Sequence, residues 1–107
     1  MISGDRLEKA LTYLATTDVT AAQLKVEVSR KEYIAKKVRA RMFLQASGNN
    51  EERKAQAETS AEVEAAESER FAAEAEFEKL KAKRLTEELV IEVWRSLEAS
   101  RRQGSIQ

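Results

Sequence analysis

Apolar residues recur along this chain every three or four positions, the spacing of amphipathic helices. Leu7, Ala10, Leu11 and Leu14 share one face behind Ser3 as N-cap, which predicts a first helix over about residues 4–15. The polar stretch TTDVT, residues 16–20, reads as a break in which Thr17 or Asp18 caps a second helix over about 19–47. The stretch SGNNEE, residues 47–52, reads as a tight turn: Gly48 suits the left-handed conformation that closes a helix, and Asn49 with Glu52 resembles a capping box. Neither glycine nor proline follows until Gly104, so a third helix is expected over about 50–102. The expected fold is all-α: one helical domain over 1–107, a hairpin with a short N-terminal helix and a very long C-terminal one, assembled as a dimeric coiled coil or bundle.

Length sharpens this picture. The third helix would run roughly 80 Å and the second only about 42 Å, leaving an overhang that the first helix covers in part. Helix 2 carries two apolar stripes on nearly opposite sides, one through Val19, Val26, Tyr33 and Leu44 and one through Leu24, Val28, Val38 and Met42. Helix 3 repeats the arrangement, with Phe71, Leu85, Leu89, Val93 and Leu97 on one side and Phe77, Leu80, Ile91 and Trp94 on the other. A helix with two apolar stripes needs two neighbours. The hairpin supplies one and a second copy the other, so a homodimer is expected, its interface assigned to Leu24, Val28, Val38, Met42, Phe77, Leu80, Ile91 and Trp94.

Composition agrees with long helices: 107 residues without proline, three glycines, 42 % hydrophobic and 36 % charged. Nineteen basic residues balance nineteen acidic ones, so net charge points to no partner. Without cysteine or histidine, disulfides, thiolate chemistry, His-based metal sites and Ser–His triads are excluded. Carboxylate pairs such as Glu74 with Glu78 lack the histidines of helical metal-carboxylate sites and read as a solvated face, so neither catalysis, nor a metal, nor a cofactor is expected. No signal peptide and no membrane span is apparent, which makes a cytoplasmic protein with no membrane partner the expectation.

Charge is nevertheless segregated. Residues 30–41 hold six basic side chains against Glu32, a net of +5, and residues 51–78 hold ten glutamates against three basic residues, a net of −7. A turn at Gly48 lays these segments side by side, where mutual neutralisation fixes the register. A second basic set, Lys79, Lys81, Lys83, Arg84, Arg95, Arg101 and Arg102, falls on the overhang and is the candidate nucleic-acid contact. Arg101 and Arg102 also suit a helix C-terminus. Trp94 reads as a packing anchor, and would become a recognition hot spot if nothing covered it.

The stretches YIAKKVRARMFLQASGNNEERKAQA and KLKAKRLTEELVIEVWRSLEASRR resemble a group of small helical proteins of tailed bacteriophages and prophages. In that group a Gly-centred turn precedes a Glu/Arg-rich helix start, and the helix ends in Glu-x-Trp-Arg-Ser ahead of paired arginines. The likeness covers roughly residues 33–102. It implies a host-cell cytoplasmic setting and a non-enzymatic accessory role in DNA recombination or replication, with DNA or a phage or host DNA-metabolism protein as partner. Two other readings stay open: an adaptor or inhibitor that engages a host enzyme through the acidic face of residues 58–78, and a purely structural coiled coil.

Overall fold

The computed structural model describes residues 2–106, with side chains as far as Gly104. Its elements are α1 (Gly4–Gln45), α2 (Asn50–Glu58) and α3 (Ala61–Ile106), with no strand among the described residues. The fold is an all-α hairpin with a long C-terminal helix. By contact the chain packs as two compact units: residues through Ala21 with those from Lys79 onward, here the chain-end unit, and Ala22–Glu78, here the turn unit.

The hairpin turn forms as its residues require. Gly48 sits at φ 112°, a conformation open to glycine at little cost. The Glu52 N–H donates to Asn49 Oδ1 at 2.9 Å, and Asn49 Nδ2 donates to Glu52 Oε1 at 3.0 Å. Gln56 bridges the turn, its Nε2 donating to the Ser47 carbonyl at 2.7 Å while its Oε1 accepts from the Ser47 N–H. Ser3 caps α1 by accepting from the Arg6 N–H at 3.1 Å.

Two predicted boundaries are corrected. The break at residues 16–20 does not form, and the predicted first and second helices are one helix of 42 residues. The Thr16 hydroxyl donates to the Thr12 carbonyl and the Thr17 hydroxyl to the Tyr13 carbonyl, so both side chains are satisfied inside the helix instead of capping a new one. Conversely, the predicted third helix is interrupted at Thr59 and Ser60. There the Thr59 hydroxyl donates to the Ala55 carbonyl, and Ser60 Oγ accepts from the Val63 N–H as the N-cap of α3.

The reason α1 continues lies in a heptad. Leu7, Ala10, Leu14, Thr17, Ala21, Leu24, Val28, Lys31, Ala35, Val38 and Met42 are spaced alternately three and four apart, and all are buried or half-buried. On α3 the series Val63, Ala66, Arg70, Ala73, Phe77, Leu80, Arg84, Glu87, Ile91, Trp94 and Glu98 keeps the same alternation and the same burial. This 3.5-residue period is that of a coiled-coil seam. Thr17 is itself a seam position, so packing overrides the local preference for a cap.

The seam contains five charged residues, and each is ion-paired: Lys31 with Glu69 at 3.1 Å, Arg70 with Glu67 and Glu74, Arg84 with Asp18, Glu87 with Arg6, and Glu98 with Arg101. The pairs of Arg70 and Glu98 lie within α3, whereas Lys31–Glu69, Arg84–Asp18 and Arg6–Glu87 cross between helices and hold only when these meet in one register, so the crossing pairs specify the antiparallel alignment within each unit.

Candidate interaction surfaces

The apolar stripe assigned to a second copy faces inward instead. Leu24, Val28, Val38, Met42, Phe77, Leu80, Ile91 and Trp94, assigned from sequence to a second copy, are half-buried on the seam of their own chain. The exposed stripe is the other one. In the chain-end unit it comprises Leu11, Val19, Leu85, Leu89, Val93 and Leu97, with Leu85 54 % and Leu89 56 % exposed; in the turn unit it comprises Val26, Tyr33, Leu44 and Phe71. A 3.6-residue reading finds both stripes; the alternating three- and four-residue spacing of the seam series is what sets it apart.

The second basic set is also redistributed. Arg84 is spent inside the chain-end unit: Nη1 donates to the Leu14 carbonyl at 3.0 Å and to the Thr17 hydroxyl at 2.6 Å, and Nη2 pairs with Asp18 at 2.5 Å. The N-terminal stretch of α1 thus lies against this part of α3, the cover expected for it in part. Lys83 lies 5.2 Å from the Tyr13 ring centroid and 3.9 Å from Glu87 Oε1. Arg101 pairs with Glu98 at 2.7 Å, and Lys79, Lys81 and Arg102 have interactions of their own. Arg95 is exposed.

In the turn unit, sequence segregation of charge resolves into a chain of ion pairs. Arg39 donates from Nε to Glu58 at 2.5 Å and from Nη2 to Glu67 at 3.3 Å. Arg70 in turn donates to Glu67 from Nε at 2.8 Å and to Glu74 from Nη1 at 2.8 Å. Together with Lys31–Glu69, these contacts bring the basic segment of α1 against the acidic segment of α2 and α3. Hydrogen bonding from Arg70 leads in holding the Glu67 carboxyl below its usual value near 4.5; desolvation opposes it, and the charge of Arg70 with the hydrogen bond and charge of Arg39 adds to the lowering. Hydrogen bonds from the carboxylates, led by Glu58 for Arg39 and Glu67 for Arg70, raise both guanidinium values further.

A carboxyl whose pKa is depressed in the folded state stabilises the fold above its unfolded value, and that stabilisation is lost as pH falls through the folded value. Helicity of the turn unit is therefore expected to hold from neutral pH down to about 5 and to fall below about 4.5, and Glu67→Gln is expected to flatten part of that fall. Circular dichroism against pH measures it; a wild-type curve unchanged by Glu67→Gln would show that this carboxylate carries no linked stability.

Among the described residues no group of three or more metal-ligating side chains comes together, and no helix is long and apolar enough to cross a membrane. No family model, curated protein or solved structure matches the chain.

Proposed function

We propose that this protein is a non-enzymatic helical accessory factor that works by binding another protein in DNA recombination or replication, in the host-cell cytoplasm that its likeness to tailed-phage proteins implies. The observation that carries the reading is the exposed aliphatic row Leu85, Leu89, Val93 and Leu97 of the chain-end unit, each four residues from the next and 43 to 56 % exposed. An apolar row on the outer side of a helix, opposite its own seam, suits docking of a helix or groove of a DNA-metabolism protein.

Direct DNA contact through the basic set is the second reading, and the exposed Arg95 beside Arg101 and Arg102 favours it. Anisotropy of labelled single- and double-stranded oligonucleotides, titrated at low and moderate salt, separates the two. Protein-mediated action expects no micromolar binding by the chain alone. Micromolar binding that weakens steeply with salt, and disappears when Arg95, Arg101 and Arg102 are all changed to glutamine, would replace it with a phosphate-contacting role.

A further inference from the structure

One flank of the turn unit displays a groove and a plug of matching charge pattern. The groove has an apolar lining of Ala40, Phe43, Leu44 and Ala57, and its charged lining is Lys36, Lys54 and the Arg39–Glu58 pair, which is internally neutralised. Leu44 is 76 % exposed beside it, and the Arg53 guanidinium lies 5.8 Å from the Phe43 ring centroid. A second groove, lined among others by Tyr33, Lys36, Arg39, Glu67 and Arg70, shares Lys36 and Arg39 with the first. The ring of Phe71 is 57 % exposed and lies 4.5 Å from the Arg70 guanidinium.

The spacing of the charges is what makes these features fit. Lys36 and Phe43 are seven residues apart on α1, two turns along one face. Glu64, Phe71 and Glu78 are likewise seven apart on α3. Lys36, Lys54, Glu64 and Glu78 are all exposed, and no ion pair within the chain engages them among the described residues. If α3 of another copy runs parallel to α1, its Phe71 reaches the groove, beside Lys54, as its Glu64 reaches Lys36. Because α1 and α3 are antiparallel within the turn unit, that alignment makes the reverse contact identical, which is the condition for a closed two-fold pair.

We infer that the chain forms a two-fold homodimer through the turn unit, Phe71 of each copy seated in the Ala40–Phe43–Leu44–Ala57 groove of the other and Glu64 paired with Lys36 across the interface. Opposite charges flanking an apolar plug fix both orientation and register. The inference goes beyond the proposed protein-binding role and is independent of it, since the aliphatic row from Leu85 to Leu97 belongs to the other unit.

Sedimentation equilibrium of the full chain tests it. At tens of micromolar the wild type is expected at twice its 12.1 kDa mass. Phe71→Asp and Leu44→Asp, both at exposed positions, are each expected to give the 12.1 kDa species with wild-type helicity. Lys36→Glu and Glu64→Lys are each expected to weaken self-association by about ten-fold, and the two together to restore it. A wild type that stays at 12.1 kDa, as when this flank serves a different protein, overturns the inference. So does a dimer that tolerates both aspartate variants, or a charge-swapped double variant no stronger than either single one.

Discussion

Replacing Arg6 with alanine is expected to lower the stability of the chain-end unit by about 2–3 kcal/mol, whereas Glu87→Leu is expected to leave it unchanged or raise it. Glu87 is a seam residue only 5 % exposed, and its carboxylate depends on Arg6 Nη2 at 2.5 Å with Lys83 at 3.9 Å as a weaker second cation. Without Arg6 the carboxylate stays shielded from water and short of its main hydrogen-bond donor, which is more costly than the pair was favourable. Removing Glu87 instead strands Arg6 and Lys83, whose side chains are 38 % and 60 % exposed and can return to water, while leucine fills a seam position between Arg84 and Ile91. Thermal melts followed by circular dichroism should show the Arg6→Ala midpoint lower by roughly 10 °C, with hydrogen exchange localising the loss to the chain-end unit. A loss within about 0.5 kcal/mol would mean that Lys83 alone satisfies Glu87.

These buried charges also mark where sequence reading stopped. The all-α class and the Gly48 turn were legible because they depend on local chemistry: a capping pair three residues apart, a glycine where φ is positive, and long runs free of proline. The pairing of the basic segment around Arg39 with the glutamates beyond the turn was legible too, since a hairpin brings them together whatever the details. The chain's continuity through Thr16 and Thr17 was not, because a threonine pair is equally at home as a cap or as seam residues bonded back to Thr12 and Tyr13. The same ambiguity ran the other way at Thr59 and Ser60, where two small polar residues did end a helix. Arg84 was assigned to a free surface because its partners, Leu14, Thr17 and Asp18, lie some seventy residues earlier. A seven-residue reading of the pattern places it: Arg84 and Glu87 fall in step with Phe77, Leu80, Ile91 and Trp94, and a charge in such a series implies a partner, on the facing helix for these two and on α3 itself for Arg70 and Glu98.

The sharpest test of the seam is expected to run against residue hydrophobicity. Ala35→Leu should destabilise the turn unit by about 1–3 kcal/mol, although leucine is the more apolar residue and ranks just below alanine as a helix former. Ala35 is 2 % exposed, as are Ala57 and Val63, and Ala66 is 8 % exposed, so the most buried positions here are small and the two helices meet without space for a longer side chain. Added carbons must therefore push the helices apart or adopt strained rotamers, and separation would stretch the Arg39 contacts to Glu58 and Glu67 at the same time. Leu44→Ala removes a larger apolar group from the same unit, yet is expected to change the stability of the unassociated chain by no more than about 0.5 kcal/mol, because Leu44 is 76 % exposed and shields little when it is present. Chemical denaturation at concentrations below self-association compares the two directly. If Ala35→Leu raised the midpoint, the seam would have room that the burial of its alanines denies, and the close approach of α1 and α3 would not be what fixes the turn unit.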